Sequence, residues 1–280
     1  MDVTVIIINY NSAALTANCL ESIFRHTQGV ALEVLVIDNA SPQEDLKGIE
    51  TRFAEVRFVY NRENGGFGKA NNQGIRMAKG KYIFLLNPDT LLTSNAIGSF
   101  FRYMEQAEAR VACCGCALVD QAGAPQVSYG NFPGIAESIA LLGPGLFYKQ
   151  YYTRKLSAGV KVYQEESEAV DYLSGAALFI RKKVLEEVGG FDEDFFLYFE
   201  ETRLAFVLRQ KGYQCILLPS VKIVHLEGGS QTSQQKRQKQ AIFAKSRKLF
   251  LQKSYGPLYA SVGHTLYLIQ QALYRAFHKG

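Results

Sequence analysis

Four carboxylates and one histidine stand where such groups are costly unless they do chemistry. Asp38 closes the apolar run "EVLVID", Asp89 follows "YIFLLNP", Glu200 and Glu201 sit side by side before a helical pattern, and His225 ends "QCILLPSVKIVH". Taken singly these signals are weak, because Asn-Pro-Asp is good turn chemistry and a histidine at a strand end is commonly structural. Together they offer oxygen and nitrogen donors of the kind that hold a divalent ion, Mn²⁺ or Mg²⁺, against a diphosphate. Cleaving a sugar from a nucleoside diphosphate releases a multiply charged leaving group, and a metal neutralises it better than lysines buried in a cleft.

The elements that must position these groups alternate. "VTVIIINY" reads as a strand, "LTANCLESIFRHT" as a helix with Leu15, Cys19, Ile23 and Phe24 at helical spacing, and "EVLVIDNAS" and "VRFVYN" as two further strands. "FGKANNQGIRMAKG" reads as a helix closed by Gly80, "KYIFLLNPD" as a fourth strand, and "TSNAIGSFFRYMEQ" as a helix starting near Ser94 or Asn95. This order predicts an α/β fold with a mostly parallel central sheet flanked by helices. Strands ending at Asn9, Asp38 and Asp89 then line one crevice, where open parallel sheets bind ligands. Residues 125–170 carry Gly-Pro clusters and many tyrosines and read as a long surface connection. Beyond them come a strand, a short helix, a loop, a helix ended by Gly212, and the strand that delivers His225.

Two common ligand classes lose their support. The turn after the first strand, "NSAALT", has no Gly-x-Gly-x-x-Gly, and no Gly-rich loop ends in Lys-Ser or Lys-Thr. A dinucleotide oxidoreductase and a nucleoside-triphosphate hydrolase are therefore disfavoured. "NGGFGKANN" follows the third strand instead, and its glycines let backbone come close to a ligand.

The five cysteines are odd in number and lie in apolar runs, so "VACCGCALV" reads as a buried strand with reduced thiols. The chain starts directly on a strand, without a secretory pattern, which predicts a cytoplasmic protein. The net charge of +5 hides two opposite regions. Nine of the 31 basic residues and none of the 26 acidic ones lie beyond residue 230, so residues 1–230 carry about −4 and the remainder about +9. We read residues 1–230 as the working domain and 231–280 as a basic amphipathic helical tail. Ile242/Leu249 and Phe243/Phe250 repeat at seven residues, and Val262, Leu266, Ile269, Leu273 and Phe277 step by three or four. Ser261, His264, Thr265, Gln270 and Gln271 make the second stretch too polar to span a bilayer, but it suits peripheral contact with the inner face of the cell membrane. The alternatives are packing on its own domain or on a second copy in a homodimer. No nucleic-acid fold accompanies the basic patch, so no nucleic acid is expected as partner.

Seven segments in fixed order, "VIIINYNS", "VIDNAS", "NGGFGKANNQG", "FLLNPDT", "YLSGAALFIRK", "GGFDEDFFLYFEETRL" and "VKIVHLEGGS", resemble the inverting family 2 glycosyltransferases, in particular their bacterial rhamnosyltransferase-like branch. The resemblance covers roughly residues 3–230 and implies a GT-A fold and a nucleoside-diphosphate sugar donor. It implies transfer of a hexose, such as rhamnose or another deoxyhexose, to a glycan or lipid-linked acceptor. By the same resemblance Asp38 reads the base, with Asn9 and Asn11 near the nucleoside, and Asn64, Gly65 and Lys69 lie along the donor nucleotide. Asn87-Pro88-Asp89 stands for the family's Asp-x-Asp motif, with Asp89 and His225 toward the metal, and Gly175 leaves room for sugar and acceptor. Glu201 falls on the base position beside Glu200. Two departures sit there: Glu replaces Asp, one methylene longer, and Arg203 replaces a second acid at (i, i+3) from Glu200, where it could pair with that carboxylate. A catalytically weakened, nucleotide-sugar-binding module is the alternative.

Overall fold

A computed structural model describes residues 1–42, 46–142, 166–226 and 233–277. Residues 143–165 of the long connection and the "EGGS" at 227–230 lie outside the described residues. β1 (Val3–Asn9) is apolar and β-branched along its length, and all seven of its residues are buried. That is the signature of a strand covered on both faces. α1 (Ala13–His26) returns the chain so that β2 (Leu32–Asp38) lies parallel to β1, with Asn9 directly opposite Asp38. β3 (Arg57–Tyr60) continues the parallel set beyond the short α2 (Lys47–Glu50). After α3 (Phe67–Met77), β4 (Tyr82–Leu86) pairs parallel with β1 on its other side.

Two details of this half differ from the sequence reading. α3 ends at Met77, so Gly80 does not cap it; a Cβ on Gly80 would lie 2.4 Å from the Thr4 backbone nitrogen, and close approach to β1 is what requires glycine there. Asp89 is not the last residue of β4. It lies three residues beyond Leu86, in the turn to a short strand β5 (Thr90–Leu92).

α4 (Ala96–Gln106) starts at the expected place, with the Asn95 side chain accepting from the Gly98 N–H at 3.0 Å. β6 (Val111–Val119) is buried throughout, and all five cysteines are free thiols. The 125–170 connection holds β7 (Tyr129–Gly130), α5 (Ile135–Leu142) and β8 (Glu168–Val170) among its described residues. Then follow β9 (Tyr172–Leu173), β10 (Ala177–Arg181), α6 (Lys182–Val188), α7 (Glu200–Gln210), β11 (Gln214–His225), α8 (Ser233–Tyr255) and α9 (Pro257–Phe277).

The main sheet runs β3-β2-β1-β4-β10-β6-β11-β5, with β8 also on β11. Its first four strands are parallel, β10 runs antiparallel between β4 and β6, and β6 and β11 are parallel. One face packs Ile23, Phe84, Phe100 and Phe179, and the other Ile6, Leu35, Ile83, Leu185 and Leu208. α8 and α9 add a third cluster, in which Phe250, Leu251 and Ala260 cover Phe195 and Phe199.

Candidate active site

Asp38 is built into a closed network at the carboxyl end of the sheet. Its Oδ1 accepts from Asn9 Nδ2 at 2.8 Å and from Ser41 Oγ at 2.6 Å, and its Oδ2 accepts from the Ser41 N–H at 3.1 Å. Asn9 is fully buried, and its Oδ1 accepts from Ser12 and Thr16, both at 2.9 Å. Whatever Asn9 contributes to a ligand it therefore contributes through Asp38. Asn11 takes a left-handed φ of 51° and donates its N–H to Ser41 Oγ at 2.9 Å.

Beside this network lies an organiser that the sequence reading missed. Asn39 is 3 % exposed; its Nδ2 donates to Asn64 Oδ1 at 2.8 Å, and its Oδ1 accepts from Asn61 Nδ2 at 3.2 Å. Asn64 Oδ1 also accepts from the Gly66 N–H at 3.0 Å, so Asn39 and Asn64 together shape the Gly-rich loop. Asn39 directly follows Asp38 in "VIDNAS", but nothing in the residue types separates a loop organiser from an ordinary turn asparagine. Asn39, Asn61, Gly65, Lys69 and Arg76 line a cleft of about 280 Å³. At its rim the Lys69 Nζ lies 3.6 Å from a Glu63 oxygen.

The antiparallel pairing of β5 with the end of β11 sets Thr90 opposite His225 and so carries Asp89 to the histidine. His225 Nε2 and Asp89 Oδ1 are 3.4 Å apart, in side chains only 15 % and 17 % exposed. The other ring nitrogen, Nδ1, is 3.1 Å from Gln126 Oε1. With the Gln126 amide in this orientation Nδ1 is the donor of that bond, and Nε2 is the ring nitrogen left for a metal ion. Nε2 and the Asp89 carboxylate are thus adjacent nitrogen and oxygen donors of the kind that a divalent ion takes as ligands. Among the described residues no cluster of three or more His, Cys, Asp and Glu could hold a metal, so two protein ligands are what this corner offers. One or two side chains completed by phosphate oxygens and water is how Mg²⁺ is usually held in phosphate sites. Gln126 went unnoticed in the sequence because it lies 99 positions from the histidine it orients. The Asn87 carbonyl closes this turn by accepting from Thr90 Oγ1 at 2.8 Å, and the Asn87 N–H donates to the Ala176 carbonyl at 2.9 Å.

The two glutamates open α7. The residues before them, Tyr198 and Phe199, both hold left-handed φ values of 70° and 69°. Such a conformation costs on the order of 1–3 kcal/mol per residue and persists only when the surroundings enforce it. Here two supports do so: the Phe67 N–H donates to the Phe196 carbonyl at 2.9 Å from the Gly-rich side, and Ser246 Oγ donates to the Leu197 carbonyl at 2.8 Å from α8. Gly66 permits the first contact, since its φ is +88° and a Cβ would sit 2.5 Å from the Phe196 oxygen.

Glu200 is 1 % exposed, and its Oε1 has no hydrogen-bond partner among the described residues. Burial first, and the neighbouring Glu201 second, push its carboxyl up to about 9. Glu201 is also raised by burial, to about 7, while its own N–H and that of Thr202 at the helix start restrain the rise. Two raised carboxyls that close hold one proton between them near neutrality. A Cβ on Gly175 would meet Glu201 Cβ and Cγ at 3.7 Å, which puts the glycine directly over the base candidate.

Arg203 does not pair with Glu200, contrary to the expectation from their spacing. Its guanidinium donates to Ser254 Oγ at 3.3 Å and lies 5.6 Å from the centre of the Phe206 ring. Side chains at (i, i+3) can meet, but Glu200 turns into the core while α8 draws Arg203 the other way.

Raised carboxyls in the fold mean that the unfolded chain releases these protons at lower pH. Stability from the pair is full below the usual carboxylate range and falls as pH rises through about 7 and then about 9. Glu200→Gln keeps the shape and removes the ionisation, so thermal unfolding is expected to show stabilisation of about 2 kcal/mol at pH 8 that fades toward pH 4. An equal effect at both pH values would contradict the burial of an ionisable group there.

The mixed parallel and antiparallel sheet flanked by helices is the GT-A fold of glycosyltransferases. The chain belongs to glycosyl transferase family 2, whose profile matches residues 4–189. A Mycobacterium tuberculosis N-acetylglucosaminyl-diphospho-decaprenol L-rhamnosyltransferase is 26% identical over 212 residues, covering 69% of this chain and 66% of that protein. Escherichia coli rhamnosyltransferase WbbL is 24% identical over 168 residues, 57% of this chain and 60% of that one. The chain thus spans about two thirds of the length of these relatives. The solved mannosyltransferase PcManGT from Pyrobaculum calidifontis, in complex with GDP-Man and Mn²⁺, superposes with a TM-score of 0.60 at 20% identity, over 98% of this chain and 75% of that one.

Proposed function

We propose that the protein is a metal-dependent inverting transferase that moves rhamnose or another deoxyhexose from a nucleoside-diphosphate donor to a glycan or lipid-linked acceptor in cell-surface polysaccharide synthesis. The observation that carries this reading is the pair of adjacent acids at the start of α7, Glu200 buried with an unpartnered oxygen and Glu201 beneath Gly175, where burial raises the proton affinity of both. A general base works best under that condition. In this reading Glu201 takes the proton from the acceptor hydroxyl as its oxygen bonds to the anomeric carbon, and the diphosphate leaves from the opposite face. Glu200 stays neutral and adds no second charge. Asp38, braced by Asn9 and Ser41, receives the base and nucleoside, and the cleft beside Lys69 follows the nucleotide. Asp89 and His225 hold the ion, which when bound neutralises the charge gathering on the departing diphosphate.

The sugar follows the relatives' names, two of which specify rhamnose. The mycobacterial name also describes an N-acetylglucosaminyl-diphospho-lipid, so an acceptor of that type is the first to test. The weakened-module alternative loses one of its supports, because Arg203 leaves Glu200 unpaired. The deciding assay offers a panel of nucleoside-diphosphate sugars with that acceptor and Mn²⁺, and follows nucleoside-diphosphate release and product stereochemistry. Acceptor-dependent release from one donor, with the anomeric configuration inverted, is expected. Binding of a donor without any turnover would leave the module reading in its place.

A further inference from the structure

α9 presents an apolar stripe outward, broken at Thr265. Leu258, Val262, Ile269 and Leu273 recur at steps of four, seven and four and so fall on one helix face, at 80 %, 45 %, 45 % and 43 % exposure. The opposite face packs through Ala260, and on the flank the Tyr259 hydroxyl accepts from the Ile135 N–H at 2.9 Å. On α8, Arg237, Lys239, Lys245 and Lys248 are exposed, and among the described residues none of them forms an ion pair. Two other cations of α8 are used internally: Lys253 binds Asp192 at 2.8 Å, and buried Arg247 lies 3.7 Å from Glu137. The spare charges are therefore those that face solvent.

We propose that the α8–α9 hairpin is a docking surface for an anionic lipid bilayer, with the Leu258–Leu273 stripe entering the headgroup boundary and the α8 cations meeting lipid phosphates. Charge selects this occupant. No acidic residue lies beyond residue 230, so the same faces of two copies would bring cation against cation, whereas an anionic leaflet complements them. No helix of the described residues is long and apolar enough to cross a membrane, so the hairpin lies on the surface. The hairpin also covers Phe195 and Phe199, the second of them immediately before Glu200, which puts the bilayer about one helix thickness from the paired acids.

The test is co-sedimentation of the full chain with vesicles of phosphatidylcholine alone and of phosphatidylcholine with phosphatidylglycerol, together with light scattering for mass. Binding to the anionic vesicles only, weakened by salt, is expected. Lys245→Gln/Lys248→Gln should reduce it about thirtyfold, at about fivefold per cation near the surface, and Val262→Ser/Ile269→Ser by at least tenfold. All four positions are exposed, and an unchanged unfolding midpoint shows that the variants are folded. Failure to sediment with anionic vesicles, or binding that ignores both double variants, overturns the proposal. So does a dimer that the serine variants convert to monomer. None of these readouts depends on turnover, so they stand or fall apart from the transferase reading.

Discussion

Glu201→Gln is expected to lower transfer by on the order of 10²–10⁴-fold while leaving the affinity for the donor nucleotide within about twofold. The substitution keeps size and shape and removes only the lone pair that accepts the acceptor's proton. In the parent protein the rate should rise with pH through about 7, as Glu201 ionises, and this rising limb should be missing from the variant's residual activity. Quench-flow or continuous assay of nucleoside-diphosphate release across pH 5 to 9, beside calorimetric donor binding, separates the two quantities. A variant that keeps its rate and its rising limb would show that the proton goes elsewhere, and Glu200 would be the next group to examine. Glu201→Asp is informative in the other direction: one methylene shorter, it tests whether reach or chemistry limits the base.

The second large effect belongs to the Asp89–His225 corner, where we place the ion. Asp89→Ala leaves His225 and whatever the diphosphate supplies, so Mn²⁺-dependent nucleoside-diphosphate binding should weaken by about a hundredfold, with metal-independent binding at Asp38 retained. Calorimetry with and without Mn²⁺, supported by the electron paramagnetic resonance of bound Mn²⁺, reads this without any turnover. Gln126→Ala should produce a smaller loss of the same kind, since it frees the ring to take the other tautomer. Binding that ignores metal in the parent protein would return Asp89 to the status of a turn residue.

How much of this could be read from residues alone depended on the range over which each signal acts. The parallel strands announced themselves because β1, β4 and β6 are buried on both faces and therefore continuously apolar. Asp38 was legible as a position for a similar reason: a carboxylate at the end of a continuously apolar strand stands out in the sequence. The Asn9–Asp38 bond was not, since it depends on a strand register that only the folded sheet sets. Gln126 and Ser246 escaped entirely; each is an ordinary polar residue whose partner is distant in the chain. Arg203 shows the opposite failure, in which local spacing suggested an ion pair and tertiary packing supplied a different neighbour. The tail illustrates both. Its periodicity was visible, but which face packs was decided by the aromatic cluster of Phe195, Phe199 and Phe250.

The left-handed pair Tyr198–Phe199 is gripped from two directions, by the Gly-rich loop through the Phe196 carbonyl and by α8 through the Leu197 carbonyl. Those two grips act on one short stretch of backbone, so they share a single conformational equilibrium. If the proposed donor orders the Gly-rich loop and the proposed bilayer steadies α8, each favours the same arrangement. Reciprocity then requires that each raise the other's affinity by one common factor. The acids at the head of α7 would then be best aimed when both are present, and the strained turn would act as a coincidence detector for nucleotide and location.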